Sequence, residues 1–220
     1  MPLKVMTYNI GNGLAPPDRL AAYLRTCAAD VVGLQEVDYA QAAGLDAALA
    51  DDYPHRALYG DGIPGKGLLS RLPVRSQTRL NINPSRPDLY AVLEWRGGPL
   101  HVLIVHPPPP TPDGIQQRQR QFARFAELID APEPVLLMGD LNMIQFQQAY
   151  HALLAMGLRD AFAQAGRGSA RTFPRRRGRL PLIPFLRLDY IMHSSELTAR
   201  DGWVGDDAGS DHLPLLALFD

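Results

Sequence analysis

The sequence predicts an α/β chain in which two mixed sheets pack together with helices outside. Three observations predict it. Some apolar segments are joined by tight turns and read as hairpins. Others are separated by amphipathic stretches of helical period. No linker, low-complexity tract or fixed-period repeat divides the 220 residues, so one domain over residues 1–220 is expected.

The elements follow in order. "LKVMTYNI" alternates as a first strand and stops at Gly11-Asn12-Gly13. "PPDRLAAYLRTCAA" is a helix: Pro16 and Pro17 open it, Asp18 suits its first turn, and Leu20, Tyr23, Leu24 and Cys27 recur at helical spacing. "DVVGLQEV" is a buried strand, and "QAAGLDAALADDY" a second helix, weakened by Gly44. "HRALYG" and "KGLLSRLPV" are two more strands around the Gly-Pro loop at 60–65. "LYAVLEW", the turn Arg96-Gly97-Gly98-Pro99 and "LHVLIVH" form a hairpin.

"HPPPPTPDG" is rigid and cannot continue a strand. "IQQRQRQFARFAELID" is the longest amphipathic helix, with Phe122, Phe125, Leu128 and Ile129 on one stripe. "PVLLMGDLN" is a buried strand ending in polar residues. "QQAYHALLAMGL" is a helix stopped by Gly157. "GRGSARTFPRRRGRLPLIPF" is an irregular loop, and "LRLDYIMHS", "LTARDGWVGD" and "HLPLLALF" are the last strands.

Composition narrows the classes. Apolar residues make up 46% and the net charge is −1, which is globular and carries no global basic field for coating nucleic acid. The single cysteine, Cys27, excludes an internal disulfide and reads as a small buried apolar residue on a helix face. "MPLKVMTYNI" has no apolar signal region, and no run approaches the ~20 apolar residues of a membrane span. A cytoplasmic protein is expected.

Polar residues suited to metal and phosphate recur where apolar strands end. Asn9 ends one, Gln35 and Glu36 another, His106 a third, and Asp140 with Asn142 a fourth. Asp189 lies within "LRLDYIM", and Asp211 and His212 precede the last strand. Strand ends along one edge of a sheet converge, so these residues would line one crater. Each has a plainer reading. Asp140 or Asn142 could cap the following helix, Asp211 could shape an Asx-turn, and Glu36 and His106 could be solvated strand ends. Six independent plain readings are together far less economical than one site.

Its chemistry would be that of hard oxygen donors. Glu36, Asp140 and Asp211, with amide oxygens from Asn9 and Asn142 and few histidines, disfavour Zn²⁺ and prefer Mg²⁺ or Mn²⁺. His106 and His212 could donate to a phosphoryl oxygen.

These residues resemble the endonuclease/exonuclease/phosphatase superfamily with the DNase I-like fold. The matching pieces are "TYNI", "LQEV", "GKGLLSRLPV", "VLIVHPPPP", "GDLN", "RLDYIM" and "SDHLPL", in the family's order over residues 7–216. The resemblance implies a four-layer α/β/β/α sandwich and divalent-metal-dependent hydrolysis of a phosphate ester. It places Asn9, Glu36 and Asp211 on the metal. Asp140 and Asn142 would position the attacking water, and His106 would contact the phosphate or assist the leaving group. Asp189 would pair with His212, which would act as acid/base or as a donor to the transition state. His106-Pro107-Pro108 departs from the pattern of abasic-site endonucleases. Met143-Ile144 after "GDLN" departs from that of inositol polyphosphate phosphatases.

The substrate is less legible. Arg71, Arg171, Arg175 and Arg176 are candidate phosphate-binding residues, and Arg177 and Arg179 extend the cluster. Polynucleotide phosphates or a lipid headgroup surface would suit them. "LPLIPFL" (180–186) is read as a buried return to the core, with a hydrophobic dock for lipid or a partner as the alternative. Phe173 and Phe185 are the few aromatics nearby, so a stacking platform for single strands is not evident. The sequence thus favours a nuclease, with a lipid or small phosphate ester as the alternative substrate and no stable protein partner. A non-catalytic binding module is disfavoured because every expected polar position is filled.

Overall fold

The computed structural model describes residues 2–129, 132–178 and 180–220. Asp130, expected in the long helix, and Arg179, expected in the arginine cluster, lie outside the described residues. The chain runs β1 (Leu3–Asn9), α1 (Pro17–Cys27), β2 (Val31–Gln35), α2 (Tyr39–Ala48), β3 (His55–Tyr59), β4 (Lys66–Ser70), β5 (Val74–Leu80), β6 (Asp88–Trp95) and β7 (Gly98–Val105). It continues through α3 (Pro112–Ile129), β8 (Val135–Asp140), α4 (Gln148–Ala155), β9 (Arg159–Asp160), α5 (Ala161–Ala165), β10 (Arg176–Arg177), β11 (Leu180–Pro181), β12 (Asp189–His193), β13 (Ala199–Val204) and β14 (Leu215–Phe219).

Two six-stranded sheets result, in the orders β13-β14-β1-β2-β4-β3 and β5-β6-β7-β8-β12-β9. Each carries one parallel pair at its centre, β1 with β2 and β7 with β8, amid antiparallel neighbours. The pleat sorts the side chains. In β1, Leu3 and Val5 face the second sheet, whereas Met6 and Tyr8 face α1 and α2. In β8, Leu136 and Met138 face the first sheet, whereas Val135 and Leu137 face α3 and α4. Three apolar layers therefore separate four structural layers, helices–sheet–sheet–helices, as expected. No helix among the described residues is long and apolar enough to cross a membrane.

Two glycines are fixed by close approach. A Cβ on Gly139 would stand 1.9 Å from the Val105 carbonyl oxygen, across the parallel pair that delivers Asp140. A Cβ on Gly44 would stand 2.5 Å from Pro17 Cβ. Gly44 thus does more than weaken α2: it lets α1 and α2 touch. The start of α2 is set by Asp38, whose carboxylate accepts from Gln41 N at 2.7 Å while Gln41 Oε1 accepts from Asp38 N at 3.0 Å.

Three expectations change. "KGLLSRLPV" is not one strand: β4 ends at Ser70, and Arg71-Leu72-Pro73 crosses to the other sheet, where β5 begins. Most of β5 is exposed (Arg75–Arg79), and without an apolar alternation it left little trace in the sequence. "LPLIPFL" does not return to the core, since Leu180, Ile183 and Phe185 are 69%, 88% and 61% exposed. Apolar composition suggested burial there, but Arg175 N bonds Asp211 O at 2.6 Å and pins the loop along the rim. Cys27 is half-buried rather than buried.

Candidate active site

The parity that fills the inter-sheet layer also builds the site. Asn9 continues the row Leu3-Val5-Thr7, Asp140 the row Leu136-Met138, and His106 the row Val102-Ile104. Asp189 opens β12 two residues before Ile191, and it faces Asp140 in the β8–β12 register. Polar residues thus occupy the step at which each inner apolar row ends. Glu36 joins them from the residue after β2, with φ at +56°. Asn142, with φ at +48°, stands two residues past the end of β8.

The side chains converge. Asn9 Nδ2 donates to Glu36 Oε1 and to Asp140 Oδ2, both at 3.1 Å. His106 Nε2 stands 3.5 Å from Asp140 Oδ2 and 3.8 Å from Glu36 Oε1. His212 Nε2 stands 3.6 Å from the same Asp140 oxygen, and its Nδ1 lies 2.9 Å from Asp189 Oδ2. Asp140 Oδ1 accepts the Asn142 backbone N–H at 2.9 Å. Asp140 is therefore not a helix cap, and α4 begins beyond it at Gln148, with Gln147 at the N-cap making no side-chain cap bond.

Burial sets the protonation of this group. It raises Asp140, which His212 lowers and Asp189 raises again, to about 6. Burial opposes the charge on His212, but Asp189, Asp140 and Asp211 outweigh it and lift the imidazole to about 10. His106 is held well below its ordinary 6.5, first by burial and then by Lys66, Arg86 and His212. One imidazole is thus held charged and the other neutral.

Glu36, His106 and Asp140 each offer a ligand atom within 4.8 Å of the other two, an arrangement that fits a divalent cation. Asn9 as placed turns amide hydrogens toward the carboxylates, and its Oδ1 accepts from Gly11 N at 3.0 Å. It therefore orients the acids, and the amide oxygen expected on the metal is engaged by Gly11 N. Asp211 stands on the flank of this cluster. Its Oδ1 lies beside Gly11, and Ser210, which bonds Asn9 O at 2.7 Å, holds the loop there.

The arginines divide. Arg71 is not at the site. It follows the end of β4 that pairs with Val31, the opposite end of the sheet from Glu36. Its Nη1 donates to Ala28 O at 3.2 Å, and its guanidinium lies over Tyr53. Arg175 and Arg176 each approach Asp207 Oδ2 at 3.4 Å, so they brace the rim. Arg171 is exposed beyond them. Phe173, from the same loop, packs at a tilt against His212 with ring centroids 4.7 Å apart.

Three further residues escaped the sequence reading. Because β4 runs antiparallel to β2, its first residue, Lys66, pairs with Gln35 and is buried at the site end. Arg86 Nη1 lies 2.8 Å from His106 Nε2. Asp88 accepts the His106 backbone N–H at 3.4 Å and Gln121 Nε2 at 3.0 Å. Only inner parity with Leu68 could have marked Lys66. The Arg86 segment, "NINPSRPD", carries no periodic signal.

Two stacked mixed sheets with carboxylates and imidazoles gathered at one end are the architecture of the DNase I-like fold. The chain belongs to the endonuclease/exonuclease/phosphatase family, whose sequence model matches residues 6–212. Members of that family hydrolyse phosphate esters. The uncharacterized protein YbhP of Escherichia coli K12 is 31% identical, over 86% of this chain and 83% of its own length. An endonuclease/exonuclease/phosphatase from Beutenbergia cavernae superposes with TM-score 0.82 at 26% identity, over 99% of this chain and 71% of that one. Mannosyl-6-phosphatase Bt3783 of Bacteroides thetaiotaomicron shares the fold with TM-score 0.82 at 18% identity, over 99% of both chains. So does D. rerio TDP2, complexed with single-strand DNA product, with TM-score 0.77 at 20% identity, over 100% of this chain and 99% of that one.

Proposed function

We propose that the protein is a divalent-metal-dependent phosphodiesterase, acting as a nuclease on DNA or RNA. One observation carries the reading: His212, charged and held by Asp189, meets Asp140 and the Glu36 cluster at the end of the inter-sheet layer. Glu36 and Asp140 would hold Mg²⁺ or Mn²⁺, with Asp211 at the flank and Asn9 orienting the acids. When bound, such an ion would polarise a phosphoryl oxygen and offset the charge that builds on phosphorus.

The chain's own residues account for the remaining steps. Asp140, between the Glu36 cluster and His212 Nε2, is placed to orient an attacking water and take its proton. Asn142 steadies Asp140 through its backbone N–H. The imidazolium of His212 donates from Nε2 toward a phosphoryl oxygen, and Asp189 fixes the tautomer by accepting from Nδ1. His106, neutral, contacts the phosphate or the leaving group.

Supercoiled-plasmid nicking with Mg²⁺ or Mn²⁺ tests this. Nicking is expected, lost with EDTA and lost in Asp211→Ala. No nicking by folded, metal-binding protein would sink the nuclease assignment.

The exposed Leu180, Ile183 and Phe185 beside Arg177 favour a second reading, a phosphodiesterase acting at a lipid surface. Sedimentation with anionic phospholipid vesicles, abolished by Ile183→Asp, would support it over the first. Wild-type protein left in the supernatant would exclude it.

A further inference from the structure

Arg86 faces an imidazole of the site where many of the chain's arginines face a carboxylate. Eleven arginines stand within 4.0 Å of a carboxylate. Among the described residues, Arg86 has no such partner. Its Nη1 instead faces the His106 ring, 2.8 Å from Nε2 and 3.2 Å from Nδ1. A neutral imidazole is a weak partner for a guanidinium, whose planar fork suits an oxyanion.

The surroundings hold Arg86 in this aim. The acid nearest in sequence, Asp88, makes no ion pair with it and accepts instead from the His106 N–H and from Gln121. The buried ammonium of Lys66 balances Asp88; it makes one hydrogen bond, to Pro64 O at 2.9 Å, and no ion pair among the described residues. The loop bearing Arg86 is built rather than loose. Asn83, buried, donates to Gln117 on α3 at 2.8 Å and accepts from Ser85 Oγ at 2.7 Å, and its carbonyl takes Arg86 N at 2.9 Å.

His106 Nε2 is the shared neighbour of Arg86 and of the Glu36–Asp140 cluster. A phosphoryl group seated at those acids through a cation would therefore have the guanidinium at its side. We propose that Arg86 is a substrate-binding residue that receives the non-bridging oxygens of that phosphoryl group and leaves His106 when substrate arrives. This deepens the phosphate-ester reading above and rests on it.

The test compares wild type, Arg86→Gln and Arg86→Lys, each loaded with Mn²⁺, with inorganic phosphate as the probe. Phosphate binding is read by calorimetry, and KM and kcat on bis(p-nitrophenyl) phosphate are measured alongside. Arg86→Gln is expected to weaken phosphate binding about tenfold or more, the worth of one charge-assisted pair, and to raise KM more than it lowers kcat. Mn²⁺ affinity should stay put, and Arg86→Lys should recover part of the loss. The inference is overturned if wild type binds no phosphate, or if Arg86→Gln binds it as wild type does. It is equally overturned if both variants lose binding alike together with thermal stability, since Arg86 would then be structural. Phosphate binding that depends on Arg86, with no ester hydrolysed, would sink the hydrolase reading and leave the oxyanion seat standing.

Discussion

Asp189→Asn isolates the contribution of one charge. Asp189 is wholly buried; its Oδ2 lies 2.9 Å from His212 Nδ1, and its Oδ1 has no hydrogen-bond partner among the described residues. Asparagine keeps the shape and can still accept from Nδ1, so the packing survives and the charge alone is lost. Burial would then work against the imidazolium with only Asp140, 3.6 Å from Nε2, and Asp211 to hold it. Positioned proton donors and acceptors are worth roughly 10²–10⁴ in rate, so kcat is expected to fall by about that factor. Mn²⁺ affinity should be nearly unchanged, because Asp189 is not one of the three clustered ligand groups.

The same charge has a stability signature. His212 titrates at about 10 in the fold, above its ordinary 6.5. A base raised in this way contributes stability fully present below about pH 6.5 and lost as pH climbs through about 10. Breaking a buried pair by removing one partner costs about 3–5 kcal/mol, and Asp189→Asn, which keeps the hydrogen bond, should cost less. Thermal melts of metal-free protein at pH 6, 8 and 10 would read this, alongside kcat at pH 7. Wild type should lose stability across that series for this reason, and the variant should lose much less. Wild-type turnover in the variant, or an unaltered slope with pH, would refute the reasoning.

Three other substitutions test separate parts. Gly139→Ala forces a methyl against Val105 O and should cost about 3 kcal/mol or more, lowering Tm by roughly 6–12 °C by differential scanning calorimetry; an unchanged Tm would show that the parallel pair can shift. Glu36→Gln should raise the Mn²⁺ concentration for half-maximal turnover by about tenfold or more while kcat at saturating metal falls less, and an unmoved metal curve would remove Glu36 from the ligand set. Arg71→Ala should leave kcat and KM unaltered and cost about 1 kcal/mol in urea denaturation, from its carbonyl bonds and its contact with Tyr53; a raised KM would contradict its placement at the far end of the sheet.

Strand character and strand-end chemistry were legible because both are local. Period-2 alternation in "LKVMTYN" and "HVLIVH" fixes which residues share a face, and a polar residue at the last inner position stands out against that row. Asn9, His106 and Asp140 were found at strand ends in this way, Asp189 was read within "LRLDYIM", and the structure brings them together with Glu36 and His212. The irregular loop was read by composition alone. Its apolar residues suggested burial, whereas its backbone bond to Asp211 lays them along the surface.

The sequence by itself determined which side chains could do phosphate chemistry and that they close apolar strands, because residue type and alternation are properties of short segments. Only the tertiary structure decided which end of each strand faces the site. Arg71 and Lys66 flank the same short strand, five residues apart, and the sequence favoured Arg71. Antiparallel pairing of β4 with β2 sends Arg71 to the far edge and brings Lys66 beside Gln35. Arg86 likewise reaches His106 only because β6 and β7 pair, which sets Asp88 and its neighbours beside the end of β7. Strand direction and pairing are set by contacts between distant segments, and no local pattern carries them.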